Sequence, residues 1–141
     1  MTTNEIVSKL IKYYVNNTCY VLDCVYSSMP FEVDLAIMTP AGYLTGIEIK
    51  VSKSDLINDL KKLQYRGRPN KKPIEYYNKF KYFYYAVPSN LVEDTLNTVH
   101  SWCGVLEITE RRIIERRASR LTLKYKHNER ELTNFLRLIA V

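Results

Sequence analysis

Two short runs constrain this chain more than anything else in it. Phe31 to Met38 and Tyr43 to Val51 are rich in aliphatic and β-branched residues, and only Thr39-Pro40-Ala41-Gly42 separates them. Turn residues between two β-type runs predict an antiparallel hairpin. Both strands carry charge inside sequence that otherwise reads as interior. Side chains two apart share a face of a strand, so Asp34 points away from Val33 and Leu35. On the next strand Glu48 and Lys50 share one face, while Ile47, Ile49 and Val51 share the other. Burying such charges is costly unless they are paired or hold a metal.

The surrounding pattern is that of an α/β protein. Ile6, Leu10, Ile11, Tyr14 and Val15 form the apolar stripe of a helix over 5–17, with Asn4 as its cap and Asn16-Asn17 at its end. A strand is expected over 19–26, before the hairpin. Ser54 reads as the cap of a helix running to about Tyr65, with Asp55 in its first turn. Strands over 80–87 and 102–108 flank a short helix at 90–100. Further strands at 111–117 and 120–125 precede a last helix over 128–139. Helices alternating with strands form an α/β sandwich pattern. The length, 141 residues, suits a single domain over 1–141, and no repeat or linker divides it.

Several function classes fall away. No run approaches the roughly 18–20 apolar residues of a membrane helix, and the N-terminus lacks the features of a secretory signal. Cys19, Cys24 and Cys103 match no zinc spacing, so reduced thiols in a cytoplasmic protein are expected, with a Cys19–Cys24 disulfide as the alternative. No P-loop, Gly-rich dinucleotide motif or Ser-His-Asp arrangement is present, and His100 and His127 stand isolated. The net charge of +6 favours a polyanionic partner, either nucleic acid or an anionic membrane surface.

The hairpin acids supply the chemistry. Asp34 and Glu48 lie fourteen residues apart, as two strands and a turn require. Neighbouring strands are about 4.8 Å apart, so both carboxylates reach a common point. With the Ile49 backbone carbonyl and waters they make an oxygen site suited to Mg²⁺. Lys50 beside them can orient or activate a water and stabilise negative charge forming at phosphorus. Those parts suffice to hydrolyse a phosphodiester. A plain ion pair is the alternative reading of the same residues.

Val33-Asp34, followed by Glu48-Ile49-Lys50 on the next strand and then a helix, resembles the PD-(D/E)XK nuclease superfamily. Within it, the run from Glu48 to Leu56, then Asp59-Leu60-Lys61 and Phe83-Tyr84-Tyr85-Ala86-Val87-Pro88, is similar to the MmcB-like DNA-repair proteins, over about residues 31–108. The resemblance implies a restriction-endonuclease-like core, an α/β fold with a mixed β-sheet flanked by helices, and a Mg²⁺ (or Mn²⁺) site. It makes Asp34 and Glu48 metal ligands and Lys50 the catalytic lysine. Glu5 stands where many superfamily nucleases carry a further acid, and a first-turn acid meeting the helix dipole explains it equally well. Glu32 shares a face with Asp34 and is a lesser ligand candidate. Lys61, Gln64 and Tyr65 are candidates for the superfamily's fourth motif. Val33 replaces the Pro that often precedes the first acid, and Arg66 to Pro73 looks like an addition to the MmcB-like pattern.

The function implied is metal-dependent cleavage of DNA in repair, recombination or mobile-element processing. Two alternatives stand beside it: a nuclease-fold DNA-binding module that does not cut, and a Holliday-junction resolvase, which would work as a homodimer. No membrane partner is expected. Lys61, Lys62, Tyr65, Arg66, Arg68, Lys71 and Lys72 are the proposed nucleic-acid contacts, from a stretch with six basic residues and no acid. Tyr76 and Tyr77 could stack on unpaired bases. A second basic group, Arg111, Arg112, Arg116, Arg117, Arg120, Lys124 and Lys126, is mixed with Glu110 and Glu115, so surface pairing explains much of it.

Overall fold

The computed structural model describes residues 1–25, 33–58 and 80–120, with the backbone alone at 22–25. Thr3–Asn16 form helix α1, whose buried stripe is Ile6 and Leu10, four residues apart. Its cap is Thr2 rather than Asn4. Thr2 is extended and its Oγ1 accepts the Glu5 N–H at 3.2 Å, whereas Asn4 already lies in the first turn. At the other end Thr18, at φ 60°, adopts the left-handed conformation that stops the helix before the sheet begins.

Among the described residues six strands follow: β1 (Tyr20–Val25), β2 (Val33–Met38), β3 (Leu44–Ile49), β4 (Tyr82–Pro88), β5 (Gly104–Ile108) and β6 (Ile113–Arg117). They form one sheet whose spatial order is their order in the chain. β1–β2, β2–β3 and β5–β6 pair antiparallel, and β3–β4 and β4–β5 pair parallel. The expected hairpin is β2–β3. Gly42, at φ 89°, donates its N–H to the Thr39 carbonyl at 2.9 Å, a conformation that glycine adopts without strain.

Parallel neighbours need crossovers, and helices supply them. Between β3 and β4 the described part of the crossover is helix α2, residues 53–58. Ser52, not Ser54, caps it, accepting the Asp55 N–H on Oγ at 3.2 Å. Between β4 and β5 a 3-10 turn, Ser89–Leu91, leads into helix α3 (Val92–Thr98). The rest of the helix expected to about Tyr65, the strand at 120–125 (Arg120 aside) and the helix at 128–139 lie outside the described residues.

Helices cover both faces of the sheet. Ile6 and Leu10 of α1 pack with Leu35, Ile37, Ile47 and Ile49. Leu56 of α2 and Leu91, beside α3, pack with Ala36, Met38, Phe83 and Tyr85. On this second face Phe80, Phe83 and Tyr85 stack edge to face, with centroids 5.6 and 5.7 Å apart. Gly46 makes room for them: a Cβ there would lie 2.9 Å from the Phe83 ring. The architecture is α/β, a mixed sheet flanked by helices, consistent with a restriction-endonuclease-like core.

Cys19 and Cys103 are free thiols, so Cys19 forms no disulfide with Cys24. Among the described residues no helix is long and apolar enough to cross a membrane.

Candidate functional site

The β2–β3 ladder runs from Met38 opposite Leu44 to Leu35 opposite Ile47. One step further, the register sets Asp34 across from Glu48. There a side chain takes over from the backbone: Asp34 Oδ2 accepts the Ile49 N–H at 2.7 Å. The N–H and C=O of one strand residue point to the same side, so the Ile49 carbonyl also faces β2. The Lys50 N–H turns the other way and donates to the Ala86 carbonyl of β4 at 3.1 Å.

Glu48 is only 6% exposed and pairs in register with Tyr85. Lys50 Nζ stands 3.7 Å from Glu48 Oε2, and both side chains are nearly buried. The structure therefore brings Asp34, Glu48, Lys50 and the Ile49 carbonyl to one place. That place is the C-terminal end of parallel strands, where ligands of open α/β sheets bind.

Carboxylate and carbonyl oxygens are hard donors, and Mg²⁺ commonly takes one or two carboxylates while keeping several waters. The donor set fits Mg²⁺ or Mn²⁺ in kind. Among the described residues, no three acids, histidines or cysteines gather to hold a metal. Glu5 is not drawn into the site. It is exposed on the first turn of α1, a helix that packs on the Leu35 and Ile47 face. Its placement is that of an acid meeting the helix dipole. Glu32, Lys61, Lys62, Gln64, Tyr65, Arg66, Arg68, Lys71, Lys72, Tyr76 and Tyr77 lie outside the described residues.

A second buried acid stands at the same end of the sheet. Glu107 of β5 pairs in register with Val87 and is also 6% exposed. Arg116 Nε donates to its Oε1 at 2.6 Å, and the guanidinium closes a salt bridge on the same oxygen. A hydrogen bond with Ser89 holds its carboxyl below the usual range, with Arg116 helping and burial opposing. Sequence reasoning passed over Glu107, although an acid between Leu106 and Ile108 shows the same pattern that singled out Glu48.

The second basic group divides. Arg116 is held by Glu107, and Arg117 donates to the carbonyls of Cys103, Leu96 and His100, tying β6 to the end of α3. Arg111 and Arg112 lie on the turn before β6. His100 stacks flat on Trp102, with centroids 4.3 Å apart, and burial lowers its pKa.

No protein-family model matches the chain, and no curated protein matches it. Among solved structures it is similar to the SPO1766 protein from Silicibacter pomeroyi, a protein of unknown function. The two superpose with a TM-score of 0.68 at 14% sequence identity, over 96% of this chain and 81% of that one. Likeness at that identity shows a shared fold, the mixed α/β sheet flanked by helices.

Proposed function

We propose that this chain is a divalent-metal-dependent nuclease that hydrolyses DNA phosphodiesters, of the PD-(D/E)XK kind and close to the MmcB-like repair proteins. One observation carries the reading. At the end of the β2–β3 ladder a carboxylate displaces backbone pairing, directly across from a buried carboxylate that has a lysine beside it. The net charge of +6 suits a polyanionic substrate.

Asp34 and Glu48 would hold the cation, with the Ile49 carbonyl as a third oxygen. When bound, the cation supplies Lewis-acid polarisation of the phosphate. The Ile49 N–H fixes Asp34 in advance, so no rotamer has to be ordered when the substrate arrives. Lys50 puts a positive charge beside the acids. There it orients the attacking water and offsets negative charge forming at phosphorus.

The test is incubation with linear, nicked, single-stranded and branched DNA plus Mg²⁺ or Mn²⁺. Cleavage of at least one substrate is expected, lost in Lys50→Ala and Asp34→Ala. No cleavage of any, or cleavage undiminished in both variants, contradicts the proposal. DNA binding without metal-dependent turnover would point instead to the non-cleaving module.

A further inference from the structure

The turn between β5 and β6, residues 109–112, lies at the same end of the sheet as Asp34, Glu48 and Lys50, because β3, β4 and β5 run parallel. One side of α1 stands against it. Between them is a groove of about 320 Å³, with Lys9, Lys12 and Tyr13 on the helix wall and Glu110, Arg111 and Arg112 on the turn wall. Four cations thus face one acid. None of the four forms a salt bridge with a described residue. Arg116 and Arg117, a few residues on, are both engaged inside the fold. Gathering like charges this way opposes folding, so the groove is better suited to an incoming anion than to stability.

The walls are ordered in advance. Lys9 Nζ donates to the Glu110 carbonyl at 2.8 Å and pins α1 to the turn. Thr109 Oγ1 accepts the Arg112 N–H at 3.1 Å, and the Thr109 N–H donates to the Arg112 carbonyl at 3.0 Å. A preformed site loses less entropy on binding. Cations on two opposed walls suit a chain of phosphates passing between them better than they suit a flat bilayer.

We infer that this groove holds the backbone phosphates of the DNA strand flanking the bond that is cut. The choice of DNA as the polyanion rests on the nuclease reading above. The groove opens beside α1, on the face opposite Asp34 and Glu48, so a strand joining the two passes over the end of the sheet. From β3 to β5 that path is at least about 10 Å at the usual strand spacing, or roughly three nucleotides at 3.4 Å of rise each.

The experiment is fluorescence anisotropy of a labelled DNA duplex across a NaCl series, with EDTA present so that nothing is cut. Lys12→Gln and Arg111→Gln each remove one charge, from opposite walls. Lys81→Gln removes one charge before β4, at the other end of the sheet, where Lys81 sits over the Tyr43 and Tyr82 rings. Each groove variant should lower the slope of log K against log salt by about 0.9, with several-fold weaker binding at low salt. Lys81→Gln should change affinity less than twofold, and circular dichroism should match throughout. Groove variants that bind like Lys81→Gln would overturn the inference, even if the wild type cuts DNA. Conversely, groove-dependent DNA binding with no cleavage under any metal would sink the nuclease reading and leave the groove standing. Sedimentation with phosphatidylserine vesicles is the third arm. Vesicle binding lost in Arg111→Gln with DNA binding unchanged would also overturn it.

Discussion

Glu48 and Glu107 are equally buried and lie at the same end of the same sheet, yet their surroundings differ. Glu107 is closed off by a guanidinium hydrogen bond at 2.6 Å, with Ser89 as a second donor. Glu48 has an ammonium at 3.7 Å and a second carboxylate across the ladder. Arginine offers a planar fork matched to a carboxylate, whereas lysine is a compact charge on a flexible stem. The Glu107–Arg116 pair bolts β6 to β5. The Asp34–Glu48–Lys50 group has the composition of a site for a cation and a phosphate. Burial alone does not separate a structural acid from a chemical one; the partner does.

Substitutions on the two sides should part in what they destroy. Lys50→Ala should lower cleavage at least about 100-fold, the scale of losing one preorganised electrostatic group, and should cost some stability as well because its pair with Glu48 is nearly buried. A large stability loss with activity kept would erase the distinction. Glu107→Gln should cost stability alone, leaving cleavage within a few-fold of wild type. Breaking a fully buried pair costs about 3–5 kcal/mol, and the half-exposed Arg116 brings the expected loss to roughly 2 kcal/mol by urea unfolding.

The acid side of the stability curve sharpens this further. The Glu107 carboxyl is held below its usual value of 4.5 in the folded state, so its contribution is present above that pH. It is lost as pH falls through the folded value. The gap between wild type and Glu107→Gln should therefore narrow as pH falls below 4.5, and a gap constant down to about pH 2 would contradict the pairing. The smallest effect concerns Tyr84, whose hydroxyl donates to Glu115 at 2.6 Å. Burial first, then that hydrogen bond, push its pKa from 10.0 up to about 12. Wild-type stability should decline between those two pH values. Tyr84→Phe should make that slope shallower, the buried Tyr14 hydroxyl supplying what is left, and leave the behaviour of both acids untouched.

The hairpin was legible in the sequence because its signals are local: alternation on both strands and turn residues between them. Helix caps were legible only to within two residues. Thr2 and Ser52 displaced Asn4 and Ser54, because several capping residues stand close together and the direction from which the chain enters decides which one is extended. Glu107 shares the local pattern of Glu48, and what sets it apart is Arg116 on the next strand. Of the basic groove only one wall was legible, Arg111 and Arg112 in the second basic group; its pairing with α1 was not. Its walls join residues 101 positions apart, such as Lys9 and Glu110, through the packing of α1.

The most direct test is a calorimetric Mn²⁺ titration of the wild type, Glu48→Gln and Glu107→Gln under one set of conditions. Wild type and Glu107→Gln should bind the ion alike, and Glu48→Gln should lose binding. Equal binding by all three, or no binding by any, would contradict the assignment of Glu48 and Asp34 to a metal centre.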